Sequence, residues 1–149
     1  MVVRMVECGK WNQVMDCIFC KIVNGEIPAK IIDETEKSLA FLDAFPLTIG
    51  HSLVIPKNHY EKMQEIPPEE NAELFETVRR VISKVDKLTN ATLVALHNGK
   101  DSGQEVPHVH IHLIPRSKED SAGPVHSMFK NRPKPSDEEF NELVEKLKR

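Results

Sequence analysis

Apolar residues recur along this chain in two rhythms, and the rhythm changes where proline, glycine or asparagine interrupts it. Residues 30–34, 38–43, 52–55 and 92–96 are short apolar or alternating runs bounded by turn residues, and each predicts a strand. The cleanest alternation sets Val109, Ile111 and Leu113 against His108, His110 and His112, between Pro107 and Pro115. A strand over 107–115 sends three apolar side chains to one face and three imidazoles to the other, roughly 6.6 Å apart along the backbone. As a helix the same residues would show no apolar stripe. The slower rhythm appears after Pro67, Pro68, Glu69 and Glu70, a helix start in which proline and acids suit the first turn. Leu74, Phe75, Val78, Val81, Ile82, Val85 and Leu88 follow at helical spacing, with Lys84 and Lys87 toward the negative end of the dipole. From Asp16 a short helical turn gathers Ile18, Phe19, Ile22 and Val23, and Asn24-Gly25 stops it. Ser136-Asp137-Glu138-Glu139 reads as a capping box opening an amphipathic helix with Phe140, Leu143, Val144 and Leu147 on one face, suited to covering the domain or a partner subunit.

Short connections between strands favour an antiparallel sheet, and the long helix has one apolar face to cover it. The expected architecture is α+β: an antiparallel sheet of about five strands, one long central helix and a C-terminal helix. Residues 1–15 show no periodicity and read as an N-terminal extension, with Trp11 able to anchor it. Residues 16–116 make the domain, and 117–149 form a C-terminal extension ending in the amphipathic helix. No internal repeat is visible.

At 149 residues there is room for one core. Hydrophobic content of 40% and charged content of 29% are ordinary for a globular chain. A net charge of −3 without a basic run argues against bulk binding of nucleic acid or anionic membrane. No apolar run approaches the roughly 20 residues that span a bilayer. The first six residues are too short and interrupted for a secretory core, so a cytoplasmic protein is expected. Of three cysteines, Cys8 stands apart, while Cys17 and Cys20 form a C-x-x-C pair. In a reducing compartment such a pair serves metal binding or redox chemistry, or is simply buried.

Three of the seven histidines occupy the alternating segment. A half-exposed strand with a histidine face is the plain reading; three in register beside a glycine-containing polar turn, 97–105, point instead to metal binding, phosphorus chemistry or both. A neutral imidazole attacks phosphorus at pH 7 without a strong base, and neighbouring rings can donate hydrogen bonds to phosphoryl oxygens. The turn itself lacks the P-loop pattern, although its backbone N–H groups could approach a phosphate.

His108-Val109-His110-Ile111-His112-Leu113 resembles the triad signature of the HIT, or histidine triad, superfamily. Cys17-Ile18-Phe19-Cys20-Lys21-Ile22, Ile27-Pro28-Ala29-Lys30, Leu39-Ala40-Phe41-Leu42-Asp43, Gly50-His51-Ser52-Leu53-Val54-Ile55-Pro56-Lys57 and Gly103-Gln104 match in the family's order. The resemblance runs over roughly residues 16–116 and is greatest to the Hint-like branch of nucleotide-binding hydrolases, in its cysteine-containing microbial form. It implies a homodimer and hydrolysis of a purine nucleoside 5′-monophosphate conjugate, a phosphoramidate or acyl-adenylate, through a nucleotidyl-histidine intermediate. A dinucleoside polyphosphate hydrolase of the Fhit-like branch and a nucleotide-binding scaffold are the alternatives. By resemblance His110 is the nucleophile, and His112 and His51 orient the phosphate. Asp43 accepts from ribose hydroxyls, Phe19 and Ile22 line the base site, and Asn98, Gly103 and Gln104 lie near the phosphate. It also implies structural zinc on Cys17, Cys20, His59 and His108, a donor set suited to a closed tetrahedral site. Two residues depart from the Hint pattern. His97 stands where a phosphate-side Asn is common, and Glu105 where a phosphate-contacting Ser is common. Both bear on the leaving group.

Overall fold

The structure is a computed structural model that describes Trp11 and residues 13–149; the expectations for residues 1–10, Cys8 among them, lie outside the described residues. In order the elements are α1 (Ile18–Val23), β1 (Ile31–Glu34), β2 (Ser38–Leu42), β3 (Ser52–Pro56), α2 (Pro68–Thr89), β4 (Thr92–Leu96), β5 (Ile111–Pro115) and α3 (Asp137–Leu147). The five strands form one sheet in the order β1-β2-β3-β5-β4, every neighbouring pair antiparallel. This is the α+β architecture expected, with the long helix where its periodicity placed it. Pro68 occupies the first turn of α2, where its missing N–H costs nothing, and Asn90 ends the helix in the left-handed region at φ 65°.

The pleat divides the sheet into two faces. Ala40, Val54, Ile111 and Leu113 point to one side and pack with Val109 against Leu74, Val78, Val81 and Val85 of α2. Leu39, Phe41, Leu53 and Ile55 point to the other and pack against Phe19, Ile22 and Val23 of α1. One-sided cover was expected; α1, although one short helix, closes part of the second face, and β3 is therefore buried along its whole length. Trp11 packs onto the α1 side, with Lys57 Nζ 5.0 Å from its ring centroid. On the outer side of α2, Arg80 donates to both oxygens of Asp33 at 2.9 Å, and Lys84 adds a bond of 2.8 Å, tying the helix to the irregular first strand.

Three expectations need correcting. The strand over 107–115 forms its ladder only from Ile111 onward. Before that, the His108 N–H donates to Val106 O and the Val109 N–H to Tyr60 O, so this stretch is held by loops instead of by a neighbouring strand. The side chains still alternate there: Val109 joins the core under α2, while the rings of His108 and His110 both meet Phe19 on the other side. Phe75 and Leu88, counted on the apolar stripe of α2, are 41% and 58% exposed, since the stripe is wider than the sheet it covers. Phe140, Leu143, Val144 and Leu147 of α3 are all exposed, so of the two roles expected for that helix, covering the domain or a partner subunit, the first is not met. Its cap forms as read, with Ser136 Oγ accepting from the Glu139 N–H at 3.2 Å. Among the described residues, no helix is long and apolar enough to cross a membrane.

Candidate active site

The face of the sheet that α1 covers is the face of the histidines. Leu53 of β3 and Ala95 of β4 stand opposite His112, so the apolar cover gives way to imidazole toward β5. His110 and His112 face each other at 5.1 Å between ring centroids, and His51, one residue before β3, meets His112 at 5.2 Å. Asp43 lies just past β2, where its N–H donates to His51 O and carries the β2–β3 pairing one step further. Phe19 meets His110 edge-on at 5.0 Å and Phe41 at 5.9 Å, with Ile22 in the same cluster. His110, His112, His51, Asp43, Phe19 and Ile22 are thus brought to one place from four elements and their flanks.

Backbone partners decide which nitrogen of each ring carries the proton, because a carbonyl only accepts and an N–H only donates. His110 Nδ1–H donates to His108 O at 2.7 Å, which leaves Nε2 with a free lone pair. His51 Nδ1 accepts from the Leu47 N–H at 3.0 Å, so its proton sits on Nε2 and is donated to His112 Nδ1 at 2.9 Å. His112 therefore carries its own proton on Nε2. Adjacent rings thus hold opposite tautomers, His110 with a free acceptor and His112 with a free donor. Burial pushes all three below the ordinary histidine value: His110, His51, and His112 to about 4, the last also opposed by His110 and His51. The contact between His51 Nε2 and Asp43 Oδ2, 3.5 Å, is accordingly not an ion pair at neutral pH. Asp43 Oδ1 accepts from the Phe45 N–H at 2.9 Å, which orients the carboxylate.

Beneath the row lies a second cluster. His108, fully buried, donates Nε2–H to Pro56 O at 2.9 Å and so presents a bare Nδ1 to the cysteines. Nδ1 is 3.4 Å from Cys17 Sγ and 3.6 Å from Cys20 Sγ, and His59 Nδ1 is 3.4 Å from Cys20 Sγ. In a tetrahedral zinc site, metal–ligand bonds of about 2.3 and 2.0 Å put sulfur and nitrogen roughly 3.5 Å apart. The four residues could hold a metal ion. Without one, burial and the neighbouring Cys17 push the Cys20 thiol up to about 11, which is the opposite of an activated redox cysteine.

The turn between β4 and β5 is built differently from expectation. Gln104 accepts from the Gly99 N–H at 2.8 Å and donates to Glu61 O at 2.8 Å. Asn98 accepts from the Met63 N–H at 2.8 Å and donates to Gln64 at 3.0 Å. Both amides thus hold the turn against the segment before α2 and do not join the row. Gly103, at φ 108°, lies directly against the ring of His97, and Glu105 is exposed. His97 itself joins the row, its ring 5.4 Å from that of His112. The sequence reading singled out His97 only as a departure from the Hint pattern on the phosphate side, and strand parity across β4 and β5 is the signal that would have set its ring in the row. The Leu47 N–H and the Pro56 carbonyl, which set two tautomers, carry no residue-type signal at all.

A family model described as the HIT domain matches residues 24–119. The chain belongs to the HIT family. Among its HIT relatives, an adenosine 5′-monophosphoramidase of Schizosaccharomyces pombe is 44% identical over 106 residues, 71% of this chain and 78% of that one. An adenylylsulfatase of Arabidopsis thaliana is 38% identical over 136 residues, 90% of this chain and 68% of that one. The structure of a histidine triad nucleotide-binding protein from Candida albicans superposes with a TM-score of 0.77 at 36% identity, covering 89% of this chain and 95% of that chain. These relatives place the chain in the Hint-like branch of the HIT family.

Because burial disfavours the charged forms of His110 and His112, both rings are expected to be mainly neutral at pH 6.5, and His112 to stay so well below it. In an NMR titration their midpoints should fall under that value, with His112 nearest 4. A midpoint at or above 6.5 for either ring would contradict this account of the site.

Proposed function

We propose that this HIT-family hydrolase cleaves nucleoside 5′-monophosphate conjugates, of phosphoramidate or acyl-adenylate type, by transferring the nucleotide first to His110 and then to water. The observation that carries the reading is the pair of opposite tautomers on neighbouring rings. Nucleotidyl transfer needs a lone pair aimed at phosphorus and a donor aimed at the oxygen on which charge grows. His110 Nε2 supplies the first and His112 Nε2–H the second, with His51 holding His112 in that tautomer. Asp43 receives the ribose hydroxyls, and Phe19 and Ile22 form the wall for a purine base. Gly103 lets the turn approach the phosphate, while Asn98 and Gln104 act by shaping the turn. The monophosphoramidase and adenylylsulfatase names of two relatives support adenosine as the nucleoside.

Zinc is the ion that suits Cys17, Cys20, His59 and His108 by donor chemistry and spacing. Bound there it would be a closed structural centre that supplies no open position to substrate. It would join α1, the loop after β3 and the segment leading into β5. The reading also includes a homodimer: β4 is a sheet edge, and Val94, Phe75 and Leu88 leave apolar surface uncovered beside it.

The test of the reaction is turnover of an AMP phosphoramidate, an aminoacyl adenylate and a diadenosine polyphosphate by wild type and His110→Ala. The first two should be cleaved, and the variant should lose several orders of magnitude in kcat while still binding AMP. Near-normal kcat in the variant removes the mechanism, and cleavage of the polyphosphate alone moves the chain to the Fhit-like activity. For the metal, elemental analysis of protein purified without chelator should give about one zinc per chain. Cys20→Ser should lose it and melt far lower, since binding worth about 10–16 kcal/mol is large beside a total stability of about 5–15 kcal/mol. Metal-free wild type of undiminished stability would leave the four residues as ordinary packing. In sedimentation equilibrium the protein should behave as two chains; a monomer at micromolar concentration excludes the dimer.

A further inference from the structure

Beside β5, Ala95 of β4 pairs with His112 and Leu96 with Ile111. Continuing that register one step places His97 opposite His110, on the same face of the sheet as both catalytic imidazoles. Its ring meets His112 edge-on at 5.4 Å between centroids, matching the 5.2 Å by which His51 meets His112 from the β3 side. His112 is therefore bracketed by two further imidazoles. The fit around His97 is close: a Cβ at Gly103 would come within 3.2 Å of His97 Cδ2. No other described residue hydrogen-bonds either ring nitrogen of His97, and the ring is half-buried at the open edge of the row.

The order of groups across this face is the order of the strands: Asp43 after β2, His51 before β3, His110 and His112 at β5, His97 after β4. Phe41 belongs to β2, and the ring of Phe19 meets both Phe41 and His110, so the apolar rings lie on the side of His110 away from β4. If the nucleoside occupies that side and phosphorus sits at His110, whatever departs from phosphorus is directed toward the β4 edge. We propose that His97 is a catalytic residue of the leaving-group side, donating a proton to the atom that separates from phosphorus. The inference rests on nucleotidyl transfer to His110.

In the first half-reaction the His110 Nε2 lone pair forms the N–P bond. The bond from phosphorus to the leaving atom breaks with its electron pair on that atom, which takes the proton from the His97 imidazolium. In the second half, water forms the new O–P bond and gives a proton to His97, and the N–P pair returns to His110. His112 and His51 are poor candidates for this step, because burial holds both neutral and each N–H is committed to orientation. The charged and titratable groups facing His97 include His112 on β5 and His110 just before it; Glu105 in the turn acts on His110, and Lys62 from the segment before α2 reaches Gly99. A donor at this place suits conjugates whose departing atom is basic, alkylamines above all.

The experiment uses AMP esters of p-nitrophenol and phenol and an AMP alkylphosphoramidate, a series of rising leaving-group basicity, with wild type, His97→Ala and His97→Phe. Phe keeps a ring against His112 but has no proton to give, so it answers the question even if the alanine variant does not fold. Loss of a general acid should cost about 100-fold or more in kcat/KM on the phosphoramidate and little on the nitrophenyl ester, whose anion departs unaided. A steeper dependence on leaving-group basicity in either variant supports the proposal. Equal losses across the series, or none, overturn it while leaving transfer to His110 intact. A wild type that cleaves no member, or a His110→Ala variant that cleaves them all, overturns both.

Discussion

The His108 ring has both nitrogens committed, and much of the site hangs on that. Its Nε2–H is spent on the Pro56 carbonyl at 2.9 Å, and its Nδ1 faces two thiol sulfurs. The segment that carries it has no strand partner; loop hydrogen bonds and this one side chain hold it in place. The carbonyl of the same residue then accepts from His110 Nδ1 and turns the lone pair of His110 outward. The Cys–His cluster and the imidazole row are thereby two sides of one residue. Disturbing the cluster would loosen the carbonyl that orients His110, without touching the row itself.

The sheet separates cost from use. On the α2 face, burial of Val54, Ile111, Leu113 and their helix partners supplies the hydrophobic stabilisation. The opposite face is apolar only as far as α1 reaches, and beyond it imidazoles are buried instead. Burying a polar ring is tolerable when its nitrogens are paired. Here each of His51, His108 and His110 has a backbone partner on one nitrogen, and what remains is turned toward a neighbouring ring, a sulfur or the open face. Desolvation, which would be a penalty for a charged imidazole, keeps the row neutral, and a neutral imidazole is what nucleophilic attack requires.

Much of the uncovered apolar surface falls in two regions: the loop after β2, where Phe45, Leu47 and Ile49 are exposed beside the row, and the side formed by α2, β4 and α3. Phe75 and Leu88 on α2, Val94 on β4 and the whole apolar side of α3 are exposed, whereas Leu74, Val78 and Val85 on α2 are buried. A helix as regular as α3, capped by Ser136 and yet unburied, owes its form to local propensity and capping more than to packing against this domain.

Much of this was legible in residue order alone. Alternation of Val109, Ile111 and Leu113 with the histidines is enough to separate a core face from an imidazole face, because a pleated backbone has period two whether or not it is paired. The helical spacing from Leu74 to Val85, the proline start of α2 and the Ser136 cap are equally local, and the C-x-x-C pair announced itself by composition. Tertiary structure decided what depends on residues distant in sequence and on groups every residue possesses. Cys17 and His108 are 91 positions apart, and only the fold brings sulfur to nitrogen. The proton positions on His51, His108 and His110 are chosen by the Leu47 N–H and by the carbonyls of Pro56 and His108. Such backbone groups are chemically alike along the chain, so no residue type marks them. His97 entered the row through the β4–β5 register, and Asn98 and Gln104 were drawn from it by the loop before α2. In each case the partner was a long-range neighbour, and a long-range neighbour is visible only once the chain has closed on itself.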